Sequence, residues 1–431
     1  MAAVWRFYRN HWKKLTFGGV AVAFLGRYLN NQHQENLVRR EFCGRAQEYG
    51  KQPLHCMGQT RKVVVFLNPA ACNGQARKKF EKNAVPLLHL AGLEVSIIET
   101  DYEGHAKALA SFPDTLQRTD AVLVAGGDGT LMEVVTGMLR RSDQFQTSKI
   151  PIGIIPLGKN NTLATSLFAS RESEVRWIAE SAMAVIKELT CPVDVMRIQP
   201  LQDENSKPVF ATLGIRWGAF RDAEQNLDKY WYMGPLKQRF AYIKRLMKEW
   251  PSEVSAVLSY NVQPVETVIT KDPEPEPDTS WWAWFWPWKS TQEVTMEPEE
   301  DPNEAVMPDS WDTERRVSAV ELTASTTNTT LSKEKHIVVS SSPKLSREDF
   351  VNLGDLSANT KTPPQDVPGQ DWSKVQVDAF QLEPQIPEGK ESWFSIDNEQ
   401  YEVMPIKVKI LPNKLRFFCN KEERLASSQL L

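Results

Sequence analysis

Apolar and polar positions alternate in two different ways along this chain, and the change falls near residue 195. Before it, short continuous apolar runs are each followed by a turn and then by a stretch with an apolar residue every third or fourth position. The runs are Lys62 to Leu67, Val122 to Ala125 and Ile150 to Ile155, and Leu93 to Thr100 reads as a further strand after the first. Such runs predict strands buried on both faces. The periodic stretches predict helices: from Arg77 to about Leu90, Gly104 to Phe112, Leu131 through Met138, and Val175 to Glu188. Strand, turn and helix in repetition predict a three-layer α/β domain with a parallel sheet. After Pro192-Val193-Asp194-Val195 the period becomes two. Phe210 to Trp217, Glu253 to Tyr260, Val375 to Ala379, Phe394 to Ile396, Ile406 to Leu411 and Leu415 to Cys419 predict an antiparallel β domain. One helix, Pro235 to Trp250, interrupts it.

Two regions fit neither pattern. Residues 1–34 hold no Asp or Glu, and Arg6, Arg9, Lys13 and Lys14 precede an apolar stretch from Leu15 to Leu25. Letting Arg27 snorkel extends that stretch to Leu29. A basic, acid-free start followed by an apolar run predicts a membrane anchor and mitochondrial targeting segment. The run is shorter than the roughly 17 to 25 residues of a membrane span, so a monotopic anchor or an ordinary amphipathic helix are the alternatives. Residues 35–60 read as a polar helical linker. Residues 263–370 are rich in Pro, Glu, Ser and Thr, which predicts a low-complexity insertion outside the core. Within it, Trp281-Trp282-Ala283-Trp284-Phe285-Trp286-Pro287-Trp288 places six aromatic rings in eight residues. This reads as a membrane-docking loop or as a cluster packed back on the β domain.

Composition narrows the classes. A chain of 431 residues with 41% hydrophobic and 25% charged content is globular, with two or three domains. A net charge of −4 gives no nucleic-acid signal. The five cysteines, at 43, 56, 72, 191 and 419, have no paired spacing, so thiols rather than a zinc site or disulfides are expected.

The chemistry concentrates where the third predicted strand meets its helix, at Gly126-Gly127-Asp128-Gly129-Thr130. Strand, glycine turn and helix present backbone N–H groups at a helix N-terminus, where the dipole favours an anion. Glycines let a phosphate lie against the backbone. A carboxylate beside a phosphate is repulsive unless a cation or a transferable proton lies between them, so Asp128 points to Mg²⁺-nucleotide chemistry. A plain strand-to-helix turn is the alternative for this pentapeptide alone.

Two further turns stand in the same register: Asn68-Pro69-Ala70-Ala71-Cys72-Asn73-Gly74 after the first strand, and Pro156-Leu157-Gly158-Lys159-Asn160-Asn161-Thr162-Leu163-Ala164 after the fourth. In this order the three motifs resemble the diacylglycerol kinase catalytic domain of the lipid kinases, which include sphingosine and ceramide kinases. Trp217-Gly218-Ala219-Phe220-Arg221-Asp222 is similar to the substrate segment of sphingosine kinases. Ser395-Ile396-Asp397-Asn398-Glu399 is similar to the family's closing Asp-Gly-Glu stretch. The resemblance covers 58–260 and 375–419. It departs from the family pattern at Asn160 and Asn398, where the family has glycine; Asn tolerates left-handed backbone, so both turns survive.

The resemblance implies a catalytic domain over 58–199, and a lipid-binding β-sandwich over 200–262 and 371–431, with the active site in the cleft between them. It implies transfer of the γ-phosphate of ATP, with Mg²⁺, to a mono- or diacylglycerol hydroxyl, and ceramide as a further acceptor. Asn68, Gly126, Gly127, Gly129, Thr130, Gly158 and Lys159 would bind nucleotide. Asp128 would be the general base, Asp397 a second catalytic carboxylate, and Asp397 with Glu399 would hold Mg²⁺; the roles of Asp128 and Asp397 are interchangeable at this level. Asp222 and Trp217 would meet the lipid. The implied location is the mitochondrial inner membrane, facing the intermembrane space, with carrier-translocase subunits as partners. An NAD kinase and a non-catalytic assembly subunit are the competing readings.

Overall fold

The computed structural model describes residues 2–51, 60–168, 173–202, 206–248, 250, 253–261, 308, 310–329, 335–360, 362–369, 371–387 and 391–420. The Trp281–Trp288 segment lies outside them, as do residues 52–59.

The first half follows the apolar runs. Strands β1 (Lys62–Leu67), β2 (Glu94–Glu99), β3 (Ala121–Gly126) and β4 (Ile152–Pro156) lie parallel in the order β2-β1-β3-β4. Every residue of β3 and β4 is buried, as a strand covered on both faces requires. Helices Ala76–Asn83, Val85–Leu90, His105–Ser111, Asp128–Leu139 and Glu174–Ile186 supply that cover. All of these turns sit at the carboxyl ends of strands, where ligands bind in open parallel sheets.

Past residue 190 the chain builds antiparallel structure: β5 (Thr190–Pro200), β6 (Val209–Ala211), β7 (Gly214–Gly218), β8 (Val254–Tyr260), β9 (Thr313–Ala319), β10 (Glu321–Thr326), β11 (Ile337–Ser341), β12 (Ser373–Val377), β13 (Ala379–Gln385), β14 (Trp393–Ile396), β15 (Glu399–Glu402) and β16 (Ile406–Phe418). A six-stranded sheet runs β12-β11-β10-β7-β14-β15. The remaining strands do not form a wholly separate second sheet. They continue the parallel one, because β16 pairs with β4 in parallel at Phe417 and with β5 and β13 antiparallel. Its register shifts between Leu411 and Leu415, where Asn413 adopts a φ of 53° and donates its N–H to the buried Asp194 carboxylate at 2.8 Å. This one long strand belongs to both layers and fixes the α/β half against the β half.

Two expectations change. The low-complexity insertion does not extend through 263–370: within it lie β9, β10, β11 and the helix Arg347–Thr360, with Phe350 and Leu353 buried. These strands escaped the hydropathy pattern because polar Glu321, Thr323, Thr326 and Ser340 are buried beside Leu322, Ala324, Ile337 and Val339. At the other end, the N-terminal segment and the polar linker are one helix, Ala2–Gly50. Phe42 and Ala46 near its end are buried in the α/β core. Phe17, Val20, Val22, Phe24, Leu25, Tyr28 and Leu29 are exposed. Among the described residues, no helix is long and apolar enough to cross a membrane.

Candidate active site at the phosphate loop and the β14–β15 hairpin

Gly127 caps the helix Asp128–Leu139 in extended backbone, and the helix begins at Asp128 itself. The Asp128 N–H donates to the Asn160 carbonyl at 3.0 Å, and the Leu131 N–H to the Gly127 carbonyl at 3.1 Å. The N–H groups of Gly129 and Thr130 therefore have no acceptor within the helix and form the anion-binding end. The Thr130 hydroxyl folds back over Gly126 and accepts from Asn68 Nδ2 at 3.1 Å. Asn68, Gly126, Gly127, Gly129 and Thr130 are thus brought together, as the motif order implied.

The third loop lies directly on this turn. Gly158 donates to the Gly126 carbonyl at 2.9 Å, and a Cβ on Gly158 would sit 2.1 Å from the Gly127 Cα. Glycine is required there by close backbone approach. Asn161 locks the loop with its own side chain, donating to the Gly158 carbonyl at 2.7 Å and accepting from the Gly158 N–H at 3.2 Å. Lys159 does not face the phosphate loop: it is exposed and ion-paired with Asp228.

The two aspartates to which the resemblance gave the base and metal roles are both held by hydrogen bonds. Asp128 is buried; both its oxygens lie 2.9 Å from the Thr162 N–H, and Oδ2 accepts from Asn398 Nδ2 at 3.0 Å. Burial raises its pKa, and the donors from Thr162 and Asn398 oppose that. Its carboxylate joins three motifs and is already occupied, which fits a positioning role better than that of a free base. Asp397 is more fully committed. Oδ2 accepts from the Thr212 N–H at 2.6 Å and hydroxyl at 3.0 Å, and Oδ1 from the Leu213 and Gly214 N–H groups, each at 2.9 Å. Burial lifts it to about 6 against the pull of those donors. Four donors leave no lone pair aimed at a metal or a substrate, so Asp397 anchors the β6–β7 turn.

The hairpin explains this arrangement. Ile396 pairs with Glu399, and Asp397 (φ 46°) and Asn398 (φ 72°) form the two-residue turn between them. Positive φ at both positions is the geometry of a tight hairpin turn, and Asp and Asn are the non-glycine residues that best adopt it. The turn sends Asp397 inward, Asn398 to Asp128, and Glu399 to the phosphate loop. A Cβ on Gly129 would lie 1.8 Å from Glu399 Oε1. No hydrogen bond to the Glu399 carboxylate occurs among the described residues. Burial, and then the nearby Glu103 and Glu133, raise its pKa above the ordinary 4.5.

Behind the same hairpin is a cavity of about 600 Å³, whose walls include Trp217, Arg221, Asp222, Lys229, Trp393 and Gln400. Adjacent residues on a strand face opposite sides, so Glu399 meets the phosphate loop while Gln400 meets the cavity. Trp217 is a fixed wall: its indole N–H donates to Ser392 at 2.7 Å and its ring packs edge-on to Phe394. Asp222 accepts from Arg221 at 3.1 Å and Arg245 at 3.3 Å, so it is a held carboxylate at the cavity mouth. Arg221 is buried, and among the described residues its Nε has no hydrogen-bond partner.

Sequence reasoning missed the buried frame beneath Asp222. Arg216 donates to Glu224 at 2.7 Å and Glu321 at 2.8 Å, and Glu321 also accepts the Arg221 N–H at 2.9 Å. Burial works against the Arg216 charge, but Glu224 and Glu321 outweigh it and hold its pKa above its ordinary value. The only sequence signal was a charged residue inside a period-two stretch. Among the described residues no group of three or more His, Cys, Asp or Glu is placed to hold a metal. Cys43 and Cys72 are not in disulfides.

Known proteins share this organisation. The diacylglycerol kinase catalytic domain family matches residues 62–198, and the acylglycerol kinase C-terminal family matches residues 212–430. The chain is 41% identical to the mitochondrial acylglycerol kinase of Homo sapiens over 428 residues, covering 98% of both chains. It is equally 41% identical to that of Xenopus laevis over 446 residues, covering 99% of this chain and 98% of that one. A solved structure from Bacillus anthracis, named for a diacylglycerol kinase, superposes with a TM-score of 0.52 at 16% identity, covering 84% of this chain and 98% of the other; it shows the shared fold. With both halves matched in order and near-complete coverage of its relatives, the chain belongs to the acylglycerol kinase family and is an ATP-dependent lipid kinase.

Proposed function

We propose that this kinase transfers the γ-phosphate of MgATP to the hydroxyl of mono- or diacylglycerol, with ceramide as a further acceptor, giving lysophosphatidic or phosphatidic acid from the acylglycerols. The observation that carries the reading is the position of Glu399. It is the one carboxylate of the motif set left without donors, it lies against Gly129 at the anion-binding helix end, and its strand walls the cavity that holds Asp222. Glu399 takes the proton from the acceptor hydroxyl. Its raised pKa brings it nearer neutrality, where a general base is most effective.

The chain's other residues position. The Gly129 and Thr130 N–H groups hold the phosphates, and Asn68 fixes the Thr130 hydroxyl. Asp128, through Asn398 and Thr162, holds the hairpin and the third loop against the phosphate loop. In the cavity, Asp222, held by Arg221 and Arg245, accepts from a hydroxyl of the lipid head. Mg²⁺ arriving with ATP supplies charge neutralisation on the phosphates. Such an ion needs only one or two protein carboxylates, and with Asp397 saturated, Glu399 is the member of the expected pair that remains able to reach it. Mn²⁺ or Mg²⁺ titration separates the two roles: as base, Glu399→Gln lowers kcat without moving the half-saturating Mg²⁺ concentration.

The exposed apolar residues between Phe17 and Leu29 agree with residence at a membrane, and the relatives are named as mitochondrial. An inner-membrane location with a kinase-independent place among carrier-translocase subunits is separable from catalysis with Glu399→Gln, which leaves the N-terminal helix untouched. The direct test is the purified chain with labelled ATP and either monoacylglycerol micelles or NAD. Label in lysophosphatidic acid supports the reading; label on NAD alone overturns it.

A further inference from the structure

The segment from Lys229 to Lys248 carries Lys229, Lys237, Arg239, Lys244, Arg245 and Lys248 and no acidic residue, in a chain whose net charge is −4. It comprises the end of the 3-10 stretch Leu227–Leu236 and the helix Lys237–Lys248. That helix has two apolar faces. Ala241 and Tyr242 are buried, with Tyr242 against Phe220 and Phe350. Leu236, Phe240, Ile243 and Met247 recur at three- and four-residue spacing on a different side. Three of these four are exposed, Met247 at 81%, and Trp231 and Tyr232 extend the patch at 79% and 62%. Packing among the described residues explains the first face and leaves the second exposed. Arg239 and Lys244, both exposed, border the stripe on either side.

We infer that this face docks on an anionic lipid surface. Large apolar side chains, two of them Trp and Tyr, bordered by cations on a helix lying flat on the protein are the chemistry of an interfacial helix. The absence of any acid over these residues selects an anionic bilayer over an acid-and-base-mixed protein surface. The same segment reaches the acceptor cavity: Lys229, Arg245 and Lys248 are among its walls. Docking this face therefore sets the cavity mouth at the level of the lipid head groups, so that an acceptor reaches Asp222 without crossing water. The inference deepens the acylglycerol reading and rests on it for the lipid's destination. The docking itself is measured without catalysis.

Trp, Tyr and Met are the side chains most readily oxidised by hydroxyl radicals, so the face carries its own probes. The full chain is footprinted alone, with phosphatidylcholine vesicles, and with phosphatidylcholine–phosphatidylserine vesicles. Oxidation of Trp231, Tyr232 and Met247 is expected to fall severalfold on the anionic vesicles only. Each near-surface cation contributes about fivefold in affinity for such a bilayer, so R239Q/K244Q weakens the affinity by roughly twenty- to thirtyfold and restores oxidation. Both residues are exposed, so the variant folds. Undiminished oxidation on anionic vesicles that sediment the chain overturns the inference. So does equal protection on neutral vesicles, or protection without vesicles in a chain that elutes as a dimer, which would assign the face to a second copy. Vesicle protection together with label on NAD alone would overturn the acceptor reading and leave docking standing.

Discussion

Replacing Gly129 by alanine tests the Glu399 geometry from the opposite side of the contact. The added Cβ would lie 1.8 Å from Glu399 Oε1 and 2.9 Å from its Cδ. These atoms end a flexible side chain, so the backbone stays and the carboxylate swings away. The move costs about 0.5 to 1.5 kcal/mol if it forces a poor rotamer. Alanine regains up to about 1 kcal/mol over glycine within a helix. Stability should change by no more than about 1 kcal/mol, read as the midpoint of urea unfolding. Activity should not be spared. Removing a positioned proton acceptor costs on the order of 10²- to 10⁴-fold in kcat. Alanine at this position also stands close to where phosphate meets the backbone, so the single variant does not isolate the cause. A double-mutant cycle does. If G129A acts by displacing Glu399, then G129A/E399Q is no slower than E399Q alone, and the apparent coupling equals the smaller single effect. Fully additive losses, with KM for ATP raised and E399Q near wild type, would refute the placement of Glu399 at the reacting end.

Other expectations follow from the same contacts. Asp397→Asn turns an amide toward two of four donors and should cost roughly 1 to 3 kcal/mol of stability, visible in thermal unfolding, with kcat of the folded fraction within about tenfold of wild type, short of the loss expected for a proton acceptor. Asn398→Gly keeps the left-handed turn but removes the donor to Asp128; it should fold normally and lose severalfold in kcat. The acid limb of kcat should reflect Glu399. Because its pKa is raised, the protonated, inactive form persists to higher pH, so activity falls as pH drops through a value above the ordinary 4.5. A limb at or below 4.5 would speak against Glu399 as the base.

The parallel half was legible because β1, β3 and β4 are continuous apolar runs and its turns end in motifs whose residues the backbone demands. Gly158 and Gly127 touch through backbone atoms, and no other residue fits. The β half was less legible for a physical reason. Strands β10 and β11 bury Glu321, Thr323 and Ser340, and a polar residue buried inside a sheet resembles a surface residue when only hydropathy is visible. Asp397 shows a second limit. A sequence identifies a carboxylate in a motif, but only the Thr212, Leu213 and Gly214 donors reveal that its oxygens are taken. Strand β16 shows a third: its alternation indicated an antiparallel partner, while its parallel contact with Ile152 at Phe417 depends on where the chain returns in space. Lys159 was placed by charge alone, and Asp228, 69 residues away, claims it.

Single-turnover transfer from labelled ATP to monoacylglycerol, compared between Glu399→Gln and Asp397→Asn in protein shown to be folded, tests the central assignment most directly. The geometry predicts that Glu399→Gln slows the chemical step by about 10²- to 10⁴-fold, while folded Asp397→Asn still turns over. Near-normal transfer by Glu399→Gln, beside a folded but inert Asp397→Asn, would contradict it.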